Sequence, residues 1–182
     1  MRKLIPSEIA KKRLSEALNG QDSRIPVFGL LDNIRSLYNV GSIFRTSDGA
    51  LVRKLFLCGY TPAPPRKEID KTSLGAVNSV PWQSAADPLE GIRLARSEGA
   101  KICLLEQTTS SVPYYSVKKA DFPICLVVGN ELSGISPEVV READMAIEIP
   151  MYGTKHSLNV AVAYGIALFE LVRILRAPNG QV

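Results

Sequence analysis

The sequence predicts an α/β domain in which a mostly parallel sheet is flanked by helices on both faces. The first observation is a set of short, continuously apolar segments, such as Ile25–Asp32 (IPVFGLLD) and Ile124–Gly129 (ICLVVG). Strands of a parallel sheet are buried on both faces, so they read as unbroken apolar runs. The second observation is that helical segments separate these runs, an alternation typical of parallel α/β folds.

Each element has a local signal. The predicted strands are Ile25–Asp32, Lys54–Gly59, Val80–Trp82, Lys101–Glu106, Ile124–Gly129 and Ala146–Ile149. The predicted helices are a basic helix near the N-terminus, Asn39–Leu51, Pro88–Ser97, Pro137–Glu142 and an apolar final helix, Leu158–Leu175. Asn39 is the expected N-cap of the helix Asn39–Leu51, and Gly99 is expected to end the helix Pro88–Ser97. The Pro-rich segment Thr61–Ala76 is predicted to be a long loop.

Length and composition indicate one folded domain. The chain has 182 residues, of which 46% are hydrophobic and 22% charged, as is usual for soluble globular proteins. No uncharged apolar run is long enough to cross a bilayer, and the N-terminus lacks the apolar core of a signal peptide. A cytoplasmic protein with no membrane partner is therefore expected.

The cysteines do not predict a metal site. Cys58, Cys103 and Cys125 each lie inside an apolar run, no pair has the spacing of metal ligands, and the chain has a single histidine. We expect three buried thiols in a reducing compartment, and no bound metal.

The basic charge is concentrated at the N-terminus. Residues 1–24 contain six basic and three acidic residues, whereas the whole chain has a net charge of +4. We interpret residues 1–24 as a basic helical extension, residues 25–176 as the main domain and residues 177–182 as a loose tail. The extension is either a phosphate-binding surface or a solvated amphipathic helix that packs on the domain through Ile9, Leu14 and Leu18, and both roles are compatible.

The last helix is too apolar for one small subunit to bury. Between Leu158 and Leu175 the only charges are Glu170 and Arg173. A helix that is apolar on all sides is buried on most sides, so we expect it to pack on the sheet and on a second copy of the chain. Polar residues collect at its N-terminus, where free backbone N–H groups suit a ligand: Lys155, His156, Ser157 and Asn159.

The expected ligand site lies late in the chain. No GxGxxG follows the first strand and no GxxxxGK[ST] is present, so neither dinucleotide nor P-loop phosphate binding is indicated. Ligands of open α/β sheets bind beyond the carboxyl ends of the strands. Three late strands end at Glu106-Gln107, at Gly129–Glu131 and at Pro150-Met151, which predicts a pocket lined largely by backbone groups.

Three motifs at these places carry a family resemblance. They are Asn39–Thr46 (NVGSIFRT), Leu126–Ile135 (LVVGNELSGI) and Ile149–Ala163 (IPMYGTKHSLNVAVA), with Lys71–Ala76 (KTSLGA) between the first two. In this order and spacing, over about residues 25–176, the chain resembles the SpoU (TrmH-like) family of SPOUT RNA 2′-O-methyltransferases.

The resemblance implies a fold and partners that composition does not show. It implies a C-terminal deep trefoil knot, an exception to general topology rules. It implies S-adenosyl-L-methionine as cofactor, a tRNA or rRNA substrate, and a homodimer with the active site at the interface. By motif position the cofactor-binding residues would be Glu106, Gly129, Ile149, Met151 and Leu158.

The resemblance also assigns catalytic residues: Arg45, Asn39, Glu131, Ser157 and Asn159. Arg45 is expected to reach back over Gly41 and to pair with Glu131. Because guanidinium stays protonated, we interpret Arg45 as a phosphate clamp rather than a base. Without the resemblance, Asn39 and Ser157 would be read as helix caps and Arg45 as a surface residue.

RNA contacts are expected outside these motifs. Arg66, Lys67 and Lys71 lie on the predicted loop and suit phosphate contacts as well as plain solvation. Tyr114, Tyr115 and Tyr152 are candidates for base stacking or for ordinary packing. Two alternative functions stay open: a non-catalytic RNA-binding protein with the same fold, and an enzyme that binds another nucleotide.

Overall fold

The predicted parallel sheet is confirmed. A computed structural model describes residues 1–16 and 24–177. The strands are β1 (Ile25–Asp32), β2 (Val52–Cys58), β3 (Trp82–Ala85), β4 (Lys101–Leu105), β5 (Val112–Pro113), β6 (Ile124–Val128) and β7 (Met145–Glu148). They form one sheet in the order β3-β2-β1-β6-β4-β7-β5, and every paired neighbour is parallel.

The helices are α1 (Pro6–Glu16), α2 (Leu37–Ala50), α3 (Lys67–Ser73), α4 (Pro88–Ser97), α5 (Pro137–Arg141) and α6 (Val160–Arg176). Helices cover both faces of the sheet. One core layer joins the sheet to α2 and α6, and the other joins it to α4 and α5. Within β1, Val27 and Leu31 belong to the first layer while Phe28 and Leu30 belong to the second. This double burial is why the strands read as unbroken apolar runs.

Two helices begin at other residues than predicted. The cap of α2 is Ser36, whose hydroxyl accepts a hydrogen bond from the backbone N–H of Asn39 at 3.3 Å. Asn39 therefore lies in the first turn of α2, and its prediction as the N-cap was wrong. Asn159 caps α6, because its Oδ1 accepts from the N–H groups of Ala161 and Val162 at 2.9 and 3.4 Å. The reading of Ser157 as a cap is thereby also excluded.

The segment predicted as the loop Thr61–Ala76 contains helix α3, followed by a 3₁₀ turn at Ala76–Asn78. The prolines precede the helix, which starts after Arg66, so they end at its N-terminal boundary and do not interrupt it. Strand β3 lies at Trp82–Ala85 rather than Val80–Trp82, and β5 was not predicted. A two-residue edge strand is too short to show a periodicity.

Helix α6 is half-buried. Its inner side places Tyr164, Leu168 and Leu171 in the core, and the Tyr164 hydroxyl is 2.9 Å from Oγ of Ser47 on α2. Burial raises the pKa of the Tyr164 phenol above its ordinary value. Its outer side exposes Val162, Ile166 and Phe169. No helix in the described part of the chain is long and apolar enough to cross a membrane.

The N-terminal helix α1 makes no apolar seal through Ile9, whose side chain is 40% exposed. The expected packing of this helix on the domain stays a prediction. Leu18 and residues 178–182 of the expected tail lie outside the described residues, as does the side chain of Leu14. The trefoil knot implied by the family resemblance stays a prediction, since strand order alone does not fix the threading of the chain.

Candidate active site

A cleft opens at the carboxyl ends of three adjacent strands, β6, β4 and β7, where the sequence predicts a ligand. Its volume is about 230 Å³. The segments that follow the three strands form its wall, together with the residues that lead into α6. The lining residues are Leu105–Gln107, Val128–Glu131, Gly134, Glu148, Ile149, Met151, Ser157–Val160 and Ala163.

All the residues predicted to bind the cofactor lie along this cleft. Gly129 stands where a Cβ would collide with the backbone of Gly134 and Ile135, so only glycine lets the chain turn back against the end of β6. The Glu106 carboxylate accepts hydrogen bonds from the N–H groups of Gln107 at 2.9 Å and Ile135 at 3.2 Å. These bonds tie the end of β4 to the same turn.

The wall of the cleft is acidic. It contains three carboxylates, Glu106, Glu131 and Glu148, and no Lys, Arg or His. Glu148 accepts a hydrogen bond from the Ser111 hydroxyl at 2.5 Å. Apolar side chains complete the wall, including Ile149, Met151 and Leu158. Such a cleft favours a ligand that combines an apolar or aromatic part with net positive charge.

Three of the predicted catalytic residues form one hydrogen-bonded network at the rim of the cleft. The Asn39 amide donates to Oε1 of Glu131 at 2.8 Å. The Asn159 amide donates in turn to Oδ1 of Asn39 at 3.1 Å. The network thus joins the first turn of α2, the segment after β6 and the cap of α6.

Glu131 anchors this network. Its two carboxylate oxygens also accept the backbone N–H groups of Arg35 at 2.9 Å and Ser36 at 3.0 Å. Partial burial acts to raise the pKa of the Glu131 carboxyl, but the hydrogen bonds from Arg35, Asn39 and Ser36 together outweigh it and hold the pKa below its ordinary value. Glu131 is therefore a fixed carboxylate at neutral pH.

The other two predicted catalytic residues stand apart from the network. Ser157 lies in the cleft wall. Arg45 is exposed on α2, and within the described residues its side chain has no hydrogen bond or ion pair. The expected pairing of Arg45 with Glu131 was wrong, because Asn39 and two backbone N–H groups occupy that carboxylate.

The expectation that Arg45 reaches over an open Gly41 was also wrong. Helix α3 fills that space, since a Cβ on Gly41 would collide with the carbonyl of Ile69 and the hydroxyl of Thr72. The Thr72 hydroxyl also donates to the carbonyl of Tyr38 at 3.1 Å. Gly41 therefore lets α3 dock against the N-terminal half of α2.

This docking brings the predicted RNA-binding residues near the start of α2. Arg66 precedes α3, while Lys67 and Lys71 lie one turn apart on it. All three side chains are exposed and have no ionic partner among residues 1–16 and 24–177. Lys67 and Lys71 thus lie on a helix rather than on the predicted loop, and the same helix also carries the exposed acids Glu68 and Asp70.

Sequence reasoning missed a second hub of the site, Asn130. Its Oδ1 accepts from the N–H groups of Leu132 at 2.9 Å and Ser133 at 3.1 Å. Its amide donates to the Asn33 carbonyl and to the Tyr60 hydroxyl, each at 2.8 Å. The available signal was its place between Gly129 and Glu131, where a buried amide can close a turn.

The described part of the chain contains no group of three His, Cys, Asp or Glu side chains placed to hold a metal ion. The three cysteines are free and buried, as predicted. Burial raises the pKa of each thiol above its ordinary value. None of the three lines the cleft, so we assign them to packing.

Comparisons of sequence point to one family. A model of the SpoU rRNA Methylase family matches residues 26–169. The chain is 36% identical over 163 residues to the tRNA (guanosine(18)-2′-O)-methyltransferase of Aquifex aeolicus, a match that covers 89% of this chain and 75% of that protein. It is 31% identical over 149 residues to the 23S rRNA (guanosine-2′-O-)-methyltransferase RlmB of Pectobacterium atrosepticum, covering 82% and 60%.

Comparisons of structure agree. The AdoMet-bound rRNA methyltransferase from Sinorhizobium meliloti superposes with a TM-score of 0.76 at 33% identity, covering 84% of this chain and 57% of that one. The Aquifex aeolicus TrmH/SpoU tRNA modifying enzyme superposes with a TM-score of 0.75 at 32% identity, covering 91% and 84%. This chain thus spans less than two thirds of the Pectobacterium and Sinorhizobium proteins.

Proposed function

Because this chain belongs to the SpoU rRNA Methylase family, we propose that it transfers a methyl group from S-adenosyl-L-methionine to a ribose 2′-hydroxyl of tRNA or rRNA. One observation carries the proposal. The network of Glu131, Asn39 and Asn159 stands at the rim of an acidic cleft. It gathers, from three distant parts of the sequence, residues that the family motifs single out.

The cleft has the chemistry that S-adenosyl-L-methionine needs. When bound, this cofactor supplies an electrophilic methyl group on a sulfonium. Its sulfonium and ammonium charges exceed its one carboxylate, which suits a wall with three glutamates and no basic side chain. The apolar residues Ile149, Met151 and Leu158 would hold its adenine, and Glu106 and Gly129 would hold the turns around it.

The protein's own contribution is alignment. Glu131 accepts three hydrogen bonds at once, which fixes the first turn of α2 against the end of β6. Asn39 is thereby held in one orientation and in turn holds Asn159. Ser157, which lines the cleft two residues before Asn159, would bind the substrate ribose. In well-oriented reactions, positioning of this kind can lower the activation barrier by about 7–11 kcal/mol.

Arg45 would act on the RNA backbone. A guanidinium cannot serve as a base, but its planar fork matches a phosphate. Its freedom from any partner in the described structure leaves that fork available. A phosphate oxygen of the substrate or a water molecule would then take the proton from the 2′-hydroxyl.

A second copy of the chain would cover the outer side of α6. Val162, Ile166 and Phe169 are 51%, 38% and 50% exposed and follow one another along one stripe of the helix. Gly49 of α2 lies against Phe169, since a Cβ there would be 3.8 Å from its ring. The stripe of α6 therefore continues onto the exposed side of α2, which carries Arg45. A homodimer built on this surface would bring Arg45 to the interface.

The basic residues would guide the RNA. Arg66, Lys67 and Lys71 lie at or on α3, which docks against the start of α2, and phosphate contacts from them would position a nucleic acid without reading its sequence. The basic extension, residues 1–24, would add to the same attraction. We place the activity in the cytoplasm, where three free cysteines stay reduced.

Two measurements test this proposal. Calorimetry with S-adenosyl-L-methionine, and with ATP and NAD for comparison, should show binding of the first alone. Binding of another nucleotide instead would overturn the cofactor assignment. Incubation with methyl-labelled cofactor and unmodified tRNA and rRNA should label one of them. If the protein binds RNA and no label is transferred, the alternative of a non-catalytic RNA-binding protein replaces ours.

A further inference from the structure

Tyr60 combines an exposed ring with an anchored hydroxyl. It follows β2, and its side chain is 62% exposed. Its hydroxyl accepts a hydrogen bond from the Asn130 amide at 2.8 Å, and its backbone N–H donates to Oδ1 of Asn33 at 3.2 Å. An exposed tyrosine normally turns its hydroxyl to water. Here the hydroxyl is held inward, so the ring is what the surface presents.

The anchor is itself rigid. Asn130 is only 7% exposed and makes four side-chain hydrogen bonds. Its backbone pairs in both directions with Gly134, at 3.0 and 2.9 Å. A ring held by such a group loses little conformational freedom when a ligand covers it, so contact with it costs less free energy than contact with a free side chain.

The same anchors connect Tyr60 to the proposed active site. Asn130 immediately precedes Glu131 and lines the cleft. Asn33 lies two residues before Arg35, whose N–H holds the Glu131 carboxylate. The segments that follow β1 and β6 therefore hold both the Tyr60 ring and the network. A single residue, Asn130, links the Tyr60 hydroxyl to Glu131, so we expect RNA bound at the network to reach this ring.

We propose that Tyr60 is a stacking contact for an unpaired RNA base beside the methylated nucleotide, and that Asn130 positions its ring. The inference rests on the proposed function for its ligand class, RNA. Aromatic rings bind splayed bases through their faces. A ring whose hydroxyl is held inward by an internal hydrogen bond presents its face to the surface, which suits that contact.

Other exposed tyrosines lack this combination. Tyr152 is 94% exposed, and no part of the described chain anchors it by a hydrogen bond. Tyr115 packs edge-on against Tyr114, with ring centroids 5.3 Å apart. The sequence singled out these three residues for stacking and passed over Tyr60.

The test compares Tyr60→Phe with Tyr60→Leu. Both substitutions remove the hydroxyl and its bond to Asn130, and the two side chains are similarly apolar, so they differ chiefly in the aromatic face. The Kd for unmodified tRNA and rRNA transcripts is measured by fluorescence anisotropy on the full chain, and the Kd for S-adenosyl-L-methionine by calorimetry. The Leu variant should bind RNA at least about fivefold more weakly than the Phe variant, with equal cofactor affinity.

Equal RNA affinity of the Phe and Leu variants would overturn the stacking role. So would a parallel loss of cofactor affinity in the Leu variant alone, since that would make the ring a support for the cleft. The outcome does not depend on turnover. Absence of RNA binding by the unaltered protein would instead refute the RNA substrate of the proposed function. If the protein transfers methyl groups but the Phe and Leu variants have the same Kd for RNA, only the role of Tyr60 is refuted.

Discussion

The substitution Asn39→Asp tests the hydrogen-bonded network separately from the cleft. It keeps the shape of the side chain and keeps an oxygen to accept the Asn159 amide. It replaces the amide that donates to Glu131 at 2.8 Å by a second carboxylate. Asn39 itself is not among the residues that line the cleft, so the change introduces no new side chain into the wall that would hold the cofactor.

The expected cost follows from that one contact. A hydrogen bond to a charged group contributes about 1.5–3 kcal/mol, and the two facing carboxylates add repulsion, which solvent moderates at this half-exposed position. We expect a loss of about 2–3 kcal/mol in the alignment of the site, which lowers kcat by roughly 30- to 150-fold. Asn39→Ala removes the contact without the repulsion and should lose less.

The assay measures kcat for methyl transfer to RNA, the Kd for S-adenosyl-L-methionine and the melting temperature. The variant should keep the cofactor Kd. Like charges raise each other's pKa, so the paired carboxyls take up a proton as the pH falls. The ratio of variant to unaltered activity should therefore rise between pH 8 and pH 5.5. Unchanged kcat, or a cofactor Kd that weakens as much as kcat falls, would refute the role given to Asn39.

Arg45→Ala should abolish detectable methyl transfer while the cofactor Kd, measured by calorimetry, stays the same; Arg45→Lys should restore little, because an ammonium lacks the fork, and normal turnover of either variant would exclude the phosphate clamp. Phe169→Glu should shift the sedimentation coefficient from that of a dimer to that of a monomer, with Val140→Glu, the same charge change at an exposed apolar residue of α5, as the matched control; a dimer that persists would place the interface elsewhere. The low pKa of Glu131 means that its ionised form stabilises the fold above the unfolded pKa of about 4.3 and that this contribution is lost as the pH falls through the lower folded pKa. The melting temperature of Glu131→Gln should accordingly lie below that of the unaltered protein at pH 7 and approach it as the pH falls through the lowered folded pKa, and a constant difference would contradict this interpretation.

The strands were predictable because burial on both faces leaves an unbroken apolar run. Ile25–Asp32 has the same bounds in the sequence interpretation and in the structure. Features that depend on short or competing local signals were not. Four good capping residues precede or begin α2 and α6: Ser36, Asn39, Ser157 and Asn159. Only the tertiary contacts decide that Asn39 and Ser157 are not the caps. Asn39 is needed by Glu131, and Asn159 reaches both its own helix and Asn39.

The location of the site was predictable, but the hydrogen-bond partners within it were not. Strand ends and glycines marked the cleft, since parallel strands place their carboxyl ends at one edge. The partners of Glu131 lie 92 to 96 residues away in the chain, and the contact between Asn159 and Asn39 spans 120 residues. Spacing carries no information about such pairs, which is why Arg45 was wrongly paired with Glu131 and why the buried hub Asn130 was overlooked.

The central claim is that the methyl group goes to a ribose 2′-hydroxyl. Methyl-labelled S-adenosyl-L-methionine and unmodified tRNA and rRNA are incubated with the full chain, and the labelled RNA is then hydrolysed in alkali. The 2′-hydroxyl is the nucleophile of that hydrolysis, so a methylated ribose protects the following phosphodiester. The account predicts that the label is recovered in alkali-resistant dinucleotides. Label recovered in mononucleotides, which indicates base methylation, would contradict it.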